Sequence, residues 1–485
     1  VSQMALRAKL SPPKEEQAHW AWHNPKWMEL AASSLWMGER RLEAENYLAG
    51  GYGLRLAMQK LDTPAMSAVA NVWQPSRLKG IQVSREYGMP FLAATQVLDL
   101  RPSPRKFLSL DRTDNVSDRM VESGQIVVTC SGAVGKAALA YAPHEKTLIS
   151  HDLLRVSPSD ETQWGWIYAY LRSKQAIAMM SAAQYGHIIK HLEPEHLMAL
   201  PTPVPSSSQL ESFDQDVKKI LSNRKESWKL QSESEHLFSQ AIGTLAGTEK
   251  QFSGFEVKAS ELFSGRRRLE GAYHTPAATL IIDRYRKSGL RTQPLSDITK
   301  GVWWMTRFKR VFGDQGAPYL SADELFAVNP PITKRVMLEQ AENAADFFVK
   351  AGWIVMACSG QTYGLNGSVA LMTKWHEKAF LSHDLVRIIP DTEQVRPGYL
   401  FTALGHPTLG RPLIIRNAYG TSIPHLDPSD IATTPVVRLS EELEHRIADK
   451  AERATLLRTE ADQLENEIAQ KATALIDRYL SGKSV

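Results

Sequence analysis

Residues 150–156, Ser-His-Asp-Leu-Leu-Arg-Val, occur again with little change as Ser-His-Asp-Leu-Val-Arg-Ile at residues 382–388, an offset of 232. Upstream, Gly-Gln-Ile-Val-Val-Thr-Cys-Ser-Gly at 124–132 matches Gly-Trp-Ile-Val-Met-Ala-Cys-Ser-Gly at 352–360, an offset of 228. A repeat of this length is far longer than the roughly 20–50 residues of a solenoid unit. The sequence therefore predicts a domain that has been duplicated within one chain.

The match continues on both sides of these stretches in collinear order, and the offset drifts only from 227 to 234. Two copies in one chain can lie about a pseudo-twofold axis, as two identical subunits would. We therefore predict a pseudo-twofold symmetric chain. Further matching positions are Arg41 with Arg268, Trp73 with Trp303, Arg77 with Arg307, Lys79 with Lys309, Pro90 with Pro318, Tyr185 with Tyr419, His191 with His425 and Pro201 with Pro435.

Each copy divides into an irregular segment, a group of short strands, a short helix and a long helix. Apolar β-branched runs between Ser-Gly and Pro turns predict the strands, and proline-rich stretches at 201–205 and 434–435 precede the long helices. The predicted strands are 125–130, 137–141 and 147–156, then 353–358, 368–371 and 379–388, followed by short helices at 163–182 and 397–409. The predicted parts are an N-terminal extension of open role (1–37), domain 1 (38–204), a central helix (205–246), domain 2 (247–437) and a C-terminal helix (438–485).

The C-terminal helix has the clearest periodic pattern in the chain, a 4-3 heptad spacing that begins after Ser440. The first long helix, 206–245, has a weaker seam because its middle is polar. Since neither seam is buried in an isolated helix, we predict an antiparallel coiled-coil pair, about 60 Å long at 1.5 Å per residue. Alternatively, the last helix binds another chain. The predicted seams are Leu443, Ile447, Lys450, Ala454, Leu457, Ala461, Leu464, Ile468, Lys471 and Leu475, with Phe213, Val217, Ile220, Leu221, Trp228, Leu237, Phe238 and Leu245 opposite.

The composition is that of a folded protein of two to four domains, with 485 residues, 43% hydrophobic and 23% charged. Two cysteines are too few for a disulfide scaffold or a four-cysteine zinc site. No stretch reaches the roughly 18 apolar residues of a membrane span, and no signal-peptide pattern is present, so we expect a cytoplasmic location. The net charge of +4 permits nucleic-acid binding without requiring it.

Three short motifs resemble catalytic sites but lack essential features. Asn-Pro-Pro-Ile at 329–332 lacks the aromatic residue of adenine methyltransferases, and Gly-Ala-Val-Gly-Lys-Ala at 132–137 is too short for a phosphate loop. Ser-His-Asp at 150–152 has the residues of a hydrolase triad, but adjacent strand residues point to opposite faces. We expect Cys130 and Cys358 to be buried apolar residues. No metal-ligand spacing occurs, so we expect a chain without catalytic activity, bound metal or bound cofactor.

Basic and aromatic residues lie at matching positions of the two irregular segments. Arginine and lysine neutralise phosphates, and arginine also reads guanine edges. Each run could equally be a solvated surface, but its repetition favours DNA binding. The candidate DNA-binding residues are Arg40, Arg41, Trp73, Arg77, Lys79, Arg85, Arg101, Arg105, Lys106, Lys136, Tyr185, His187 and Lys190 in copy one, and Arg266, Arg267, Arg268, Trp303, Trp304, Arg307, Lys309, Arg310, Tyr363, Tyr419, Thr421 and Ser422 in copy two.

This combination of motifs resembles the specificity subunits of type I restriction-modification enzymes. The resemblance covers nearly the whole chain beyond residue 38 and rests on the Gly-x-Ile-Val-x-x-Cys-Ser-Gly, Ser-His-Asp-Leu and His-Leu-x-Pro patterns, and on a long helix after each domain. It implies an α+β chain with two tandem target-recognition domains, separated by two antiparallel coiled-coil helices.

The resemblance also implies a function in phage defence. Each domain would read one half of a bipartite double-stranded DNA target, and the helices would dock two methyltransferase subunits and, in a full restriction system, nuclease subunits. S-adenosylmethionine, ATP and Mg would bind those partners and not this chain. The alternatives are a coiled-coil adaptor that binds only protein, an unrecognised nucleic-acid enzyme, or the specificity subunit of a related DNA-modification defence system.

Overall fold

A computed structural model describes residue 29 and residues 32–35, 42–48, 50–77, 79–113, 115–186, 190–243, 254–263, 267–330 and 334–482. Its contacts divide the chain into two compact units: Val1–Val97, Pro102–Leu221 and Leu464–Val485 form the first, and Leu98–Arg101 and Ser222–Gln463 form the second. Both units contain helices and strands, which confirms the predicted α+β class. Among the described residues no helix is long and apolar enough to cross a membrane.

The helices and strands alternate along both units. In the first unit they are α1 (Ala32–Leu35), α2 (Ala44–Leu48), α3 (Gly51–Gln59), β1 (Ala70–Trp73), β2 (Gln82–Val83), β3 (Met89–Leu92), α4 (Ala94–Val97), β4 (Lys106–Leu108), α5 (Val116–Arg119), β5 (Ile126–Thr129), β6 (Ala137–Leu139), β7 (Leu148–Ile149), β8 (Leu153–Pro158), α6 (Trp164–Leu171), α7 (Lys174–Ala183) and α8 (Pro194–Met198). Helix α9 (Ser207–Ile242) begins in the first unit and ends in the second. The second unit continues with α10 (Ala259–Leu262), α11 (Pro276–Lys287), β9 (Thr292–Pro294), β10 (Thr299–Trp304), β11 (Phe312–Leu320), α12 (Ala322–Leu325), β12 (Arg335–Val336), β13 (Ile354–Ala357), β14 (Val369–Leu371), β15 (Phe380–Leu381), β16 (Leu385–Pro390), α13 (Pro397–Gly405), α14 (Arg411–Ile415), α15 (Pro428–Ala432) and β17 (Pro435–Val437). Helix α16 (Glu441–Leu480) begins in the second unit and ends in the first.

Each unit contains a four-stranded antiparallel sheet with the same arrangement, β1-β8-β5-β6 in the first and β10-β16-β13-β14 in the second. Every residue of β5 and of β13 is buried, which explains why these strands are continuous apolar runs without polar alternation. Even the register agrees, because Val127 pairs with Arg155 as Val355 pairs with Arg387.

A smaller sheet accompanies each large one, in the order β2-β4-β3-β7 in the first unit and β12-β11-β15 in the second. Each contains one parallel pair, β3 with β7 and β11 with β15. The strands predicted at 147–156 and 379–388 are each interrupted, so that residues 150–152 connect β7 to β8 and residues 382–384 connect β15 to β16. These two turns join the small sheet of each unit to its large sheet.

The two long helices contact each other within each unit. In the second unit, Arg224 Nη2 lies 2.5 Å from Asp462 Oδ1, and the Ser227 hydroxyl donates to the carbonyl of Ala454 at 2.7 Å. In the first unit, Lys471 Nζ lies 2.7 Å from Asp216 Oδ2. In the second unit the residue numbers rise along α9 as they fall along α16, so the contacting segments of the two helices are antiparallel there.

Burial along the long helices follows the predicted seam of α16 more closely than that of α9. Most predicted apolar positions of α16 are buried, and its seam lysine Lys450 bonds Glu233 at 2.5 Å. In α9, Arg224, Ser227 and Ser234 are buried, whereas Trp228 is only half-buried. The middle of the α9 seam is therefore polar, in line with its weaker pattern, but Trp228 is not the buried residue that we expected there. The predicted Leu245 lies outside the described residues.

Glycine permits close packing of each domain on a long helix. A Cβ on Gly165 of α6 would lie 2.4 Å from the backbone nitrogen of Asp214 in α9, and a Cβ on Gly398 of α13 would lie 2.5 Å from the carbonyl oxygen of Ala448 in α16. Any larger residue would push these helices apart. The N-terminal region is packed in a similar way, because a Cβ on Gly51 of α3 would lie 2.0 Å from the backbone of α7.

Candidate nucleic-acid interface

The Ser-His-Asp motif forms a turn, so our expectation that it lies on a strand was wrong. The Ser150 hydroxyl donates to Asp152 Oδ2 at 2.8 Å, and His151 Nε2 lies 3.7 Å from Asp152 Oδ1. The aspartate therefore lies between serine and histidine, whereas a hydrolase relay has the histidine in the middle. The second unit repeats the contact from Ser382 to Asp384 at 3.1 Å. Both motifs are structural turns.

A buried arginine closes each of these turns. Arg155 and Arg387 have no exposed surface, and the Nη1 of each donates to the carbonyl of its turn serine at 3.0 Å. Burial lowers the pKa of each guanidinium to about 10, which leaves it charged at neutral pH. Sequence reasoning missed this role, although arginine is the sixth residue of both seven-residue repeats.

Three segments that are distant in sequence meet at one end of each large sheet. The Cys130 N–H donates to the carbonyl of Asp152 (3.1 Å), the Leu192 N–H to that of Cys130 (2.9 Å), and the Gly132 N–H to that of Lys190 (3.0 Å). The equivalent bonds of the second unit measure 3.2, 2.9 and 3.0 Å. We name this end the loop end; it contains residues 130–136, 150–152, 185–186 and 190–192 of the first unit and 358–367, 382–384 and 419–426 of the second.

The two cysteines are buried at this end as expected. Burial raises the pKa of the Cys130 thiol to about 12 and that of the Cys358 thiol to about 11. Both therefore remain protonated at neutral pH and are poor nucleophiles.

In the first unit, several candidate residues come directly after β1 in sequence, where that strand reaches the loop end of the large sheet. Strand β1 ends with Trp73, and the Gln74 side chain donates to the carbonyl of His151 in the turn at 2.8 Å. Arg77 and Lys79 continue from there and are exposed. Lys136, immediately before β6, is also exposed.

The small sheet brings further cations to the same turn. Lys106 begins β4 opposite Phe91 of β3, and the next residue of β3 accepts a hydrogen bond from Ser150. Arg105 and Lys106 are exposed, and so is Arg85, whose guanidinium carbon lies 5.8 Å from the centre of the Phe107 ring. The structure therefore brings together candidates that are up to about 60 residues apart in sequence.

The second unit has the same arrangement with more aromatic surface. Strand β10 ends with Trp303 and Trp304, and Trp304 is 40% exposed. Arg307 and Lys309 follow and are exposed. Tyr363, Tyr419, Thr421 and Ser422 are also exposed on the loop end.

Arg310 completes this group beside the Ser-His-Asp turn. Its Nη2 lies 4.0 Å from Asp384 Oδ2. Burial lowers the pKa of His383, and Arg310 and Arg307 add to that effect, while Asp384 opposes it. The neighbouring positive charge therefore favours a neutral His383 at neutral pH.

Some candidates are engaged by the protein itself. Arg268 donates to the carbonyls of Asn417 (3.1 Å) and Ala418 (3.0 Å) and bonds Glu270. Its neighbour Arg267 is exposed with a left-handed backbone, φ 54°. Arg268 thus fixes the loop that begins at Tyr419 and is not a free surface cation.

Arg101 and Tyr185 also have protein partners. Arg101 donates to the carbonyl of Gly405 at 3.2 Å and pairs with Glu235. Tyr185 donates to the Glu193 carboxylate, and that bond raises the pKa of Tyr185 to about 12. Lys190 is half-buried on the loop end. The candidates Arg40, Arg41, His187 and Arg266 lie outside the described residues.

The Asn-Pro-Pro-Ile motif contacts α16 through its first residue. Asn329 has a left-handed backbone, φ 49°, and its N–H donates to Asp462 Oδ1 at 2.9 Å. The short glycine motif at 132–137 is the hairpin turn between β5 and β6. In the described part of the chain, no group of three histidine, cysteine or carboxylate side chains could hold a metal ion.

No protein-family model and no curated protein matches the chain. Solved structures that are similar to it are specificity subunits of type I restriction-modification systems. The S subunit from M. genitalium is 16% identical, with 86% of this chain and 94% of that chain covered and a TM-score of 0.35. The HsdS subunit from Thermoanaerobacter tengcongensis is 12% identical, with 86% and 96% covered and a TM-score of 0.26. A chain from a structure on complex assembly and conformational transition of the type I R-M system is 12% identical, with 85% and 97% covered and a TM-score of 0.25.

Proposed function

We propose that this chain is the DNA-recognition subunit of a type I restriction-modification system and has no catalytic activity of its own. The observation that carries the proposal lies beside the loop end, where β1 and β10 end. Arg77 and Lys79 in the first unit, and Arg307 and Lys309 in the second, are exposed cations at equivalent positions that follow Trp73 and Trp303. Cations that neutralise phosphates, beside rings and amides that contact bases, are the chemistry of a sequence-specific DNA interface.

The equivalence of the two units supports a tandem duplication. Strand order, register, turn hydrogen bonds and the close-packing glycines agree at positions offset by 228–234 residues. Within the second unit, the Leu100 N–H donates to the carbonyl of Phe326 (2.7 Å) and the Val328 N–H to that of Leu98 (2.8 Å). Positions 98 and 100 are the sequence equivalents of 326 and 328, so these bonds join two stretches that match each other in the repeat.

A duplicated reader fits a bipartite target. In this proposal each domain contacts one half-site, and α9 and α16 form an antiparallel coiled-coil spacer that fixes the gap. Half-sites one DNA turn apart lie about 34 Å from each other, which is within the roughly 60 Å length of a 40-residue helix. The spacer also docks two methyltransferase subunits, which bind S-adenosylmethionine, and nuclease subunits that use ATP and Mg in a full restriction system. The chain would then serve phage defence in the cytoplasm.

The experiment measures DNA retention by the complex of this chain with its methyltransferase as a function of salt. Replacing Arg77, Lys79 and Lys136 with alanine should lower both the affinity and the salt slope, the slope by about 0.9 for each phosphate that is no longer neutralised. The control replaces Arg286 of α11 and Lys300 near the start of β10, whose side chains are 77% and 59% exposed, and should leave both quantities unchanged. Equal slopes for all three proteins would refute the proposed interface.

Mapping of methylated bases then tests the modular design. Exchange of residues 247–437 for the corresponding domain of a relative should change one half of the methylated motif and keep the gap. If both halves changed, the division into half-site readers would be wrong. A coiled-coil adaptor that binds only protein would show no salt-dependent DNA retention in any complex.

A further inference from the structure

The hairpin turn at the loop end differs between the two units by four residues. In the first unit two residues separate Gly132 from Gly135, whereas in the second unit six residues separate Gly360 from Gly367. The anchors are otherwise equivalent. Gly135 and Gly367 have left-handed backbones, φ 84° and 78°, and each donates its N–H at 2.8 Å to the last residue of the preceding strand. Residues 361–366 therefore correspond to residues 133–134 and form a loop four residues longer between geometric anchors that the two copies share; we name residues 361–366 the inserted loop.

One arginine side chain bonds the backbone of the inserted loop at three positions. Arg411, at the start of α14, donates through Nη2 to the carbonyls of Thr362 (2.8 Å), Gly364 (2.8 Å) and Asn366 (2.9 Å). Three carbonyls that converge on one guanidinium fix the backbone over most of the loop, and charge-assisted bonds of this kind are among the stronger hydrogen bonds.

Side-chain amides attach the loop to its neighbour. Asn366 is fully buried, and its Nδ2 donates to the carbonyls of Gly360 (2.9 Å) and Pro424 (3.0 Å). Gln361 Nε2 donates to the carbonyl of Ser422 at 2.9 Å. The inserted loop and residues 419–425 therefore form one pre-organised surface.

This surface presents apolar groups to solvent. Tyr363 at the tip of the inserted loop is 67% exposed, Ile423 is 58% exposed and Tyr419 is 38% exposed. The exposed Arg307 and Arg310 lie at the same end of the sheet. An aromatic ring on a rigid loop, with cations around it, matches a DNA duplex, whose bases offer flat apolar faces between two rows of phosphates.

We propose that Tyr363 is a specificity-determining residue of the second half-site, where its ring enters a base step and partly unstacks it, and that Arg411 is the positioning residue of the loop. This inference rests on the proposed function and adds to it. The short turn of the first unit carries Ala133 and Val134 and no ring, so only the second half-site would be distorted. Pyrimidine–purine steps unstack most easily, so the second half-site should contain one where Tyr363 binds.

The test uses the complex with the methyltransferase and duplex DNA of the methylated motif, with 2-aminopurine in place of one purine in either half that is not the methylated base, because a methyltransferase flips its target base out of the stack. The wild-type complex should increase 2-aminopurine fluorescence in the second half only. Tyr363→Ala should abolish that increase and weaken cognate binding about 5- to 150-fold, the range for loss of one base–aromatic stack. Tyr363→Phe should retain both properties, since the ring is kept.

Arg411→Met should resemble Tyr363→Ala in fluorescence while the first half-site is still methylated correctly. The matched control is Tyr87→Ala, which removes a tyrosine that is 80% exposed in the first unit and should leave binding unchanged. The melting temperature of Tyr363→Ala should equal that of the wild type because the ring is exposed. If the wild type binds the motif, and Tyr363→Ala binds it with the same affinity and the same fluorescence increase as the wild type, this inference is wrong and the proposed function still stands. Loss of methyltransferase docking in Tyr363→Ala would also overturn it, whereas failure of the wild type to bind DNA specifically would refute the proposed function itself.

Discussion

Replacement of Asp462 with alanine should be among the most destabilising single changes in the second unit. Asp462 in α16 lies 2.5 Å from Arg224 in α9, with side chains only 9% and 4% exposed, and it also accepts the N–H of Asn329 at 2.9 Å. Its removal leaves a buried guanidinium without its carboxylate. Breaking a buried ion pair from one side costs about 3–5 kcal/mol. For a unit of roughly 250 residues, that loss lowers the melting temperature by roughly 6–20 °C.

The assay is thermal unfolding of the full chain, followed by circular dichroism of the helices. The matched control is Asp216→Ala, which breaks the pair with Lys471 on the same two helices. Because those side chains are 25% and 53% exposed, that pair contributes only about 0–1 kcal/mol. The comparison therefore isolates burial, since both pairs join α9 to α16 at nearly equal distances of 2.5 and 2.7 Å.

A double variant distinguishes the unpaired charge from simple loss of packing. Arg224→Met with Asp462→Leu removes both charges and restores apolar volume, so it should recover most of the stability that Asp462→Ala loses. The reasoning would be refuted if Asp462→Ala cost less than about 1 kcal/mol, or if the double variant were as unstable as the single one.

Three further predictions concern other buried groups. Burial lowers the pKa of His144 to about 4 and that of His376 to about 3, so each stays neutral when folded. These two histidines should not affect stability well above pH 6.5, and as the pH drops to those values they should lower it by up to about 3 kcal/mol for His144 and about 5 kcal/mol for His376. The unfolding free energy, measured against pH, should therefore fall less in His144→Asn than in the wild type. Arg387→Lys should destabilise by more than about 3 kcal/mol, because lysine cannot reproduce the guanidinium's bonds to several backbone carbonyls, and urea unfolding would show it. Gly398→Ala should lower the free energy of unfolding by about 1–3 kcal/mol, because its Cβ would lie 2.5 Å from the carbonyl oxygen of Ala448 in α16. The control is Gly254→Ala, whose Cβ would meet no described atom within 4 Å and which should change the melting temperature little.

The internal sequence repeat and the positions of most strands could be found from the sequence because they depend on local patterns. Apolar runs such as Ile-Val-Val-Thr at 126–129 are buried on both faces of a sheet, and the repeat places them twice at the same spacing. The turn at 150–152 was not predicted because apolar residues continue on both sides of it. Arg155, which lies beyond the turn in sequence, donates to the carbonyl of Ser150, and a pattern of apolar residues does not reveal that contact.

The polar seam of α9 shows a second limit of pattern reasoning. Apolarity selected Trp228, but Arg224 and Ser227 are the buried residues, because partners on α16 supply a carboxylate and a carbonyl. A heptad pattern predicts which positions face a partner helix only where those positions are apolar, because apolar residues are what define the pattern. Burial of a charged residue depends on the partner's side chain, which no local window contains.

Sequence reasoning could locate the repeated basic positions of the candidate interface. It could not distinguish a solvent-exposed cation from one that is hydrogen-bonded to the protein itself. Arg268 and Arg77 look alike in sequence, yet Arg268 holds a loop through two carbonyls while Arg77 is exposed. The difference is that backbone carbonyls lie beside the Arg268 guanidinium. Those carbonyls come from residues about 150 positions away in sequence, which a local pattern does not contain.

In our proposal, the inserted loop would give the two copies different contacts with DNA. The increase in offset from 228 to 232 between the cysteine and the Ser-His-Asp motif already marked four extra residues in the second copy. Four residues added to a surface turn cost little loop-closure entropy, so the strands on either side keep their register, as β13 and β14 do. An unsupported insertion would nevertheless be too mobile to discriminate bases. Arg411 and Asn366 bond its carbonyls and anchor it to the neighbouring loop, so the second copy presents a tyrosine on a supported backbone where the first presents alanine and valine. If the proposal holds, the two copies would differ in what they bind while the strands that carry the loops keep the same order and register.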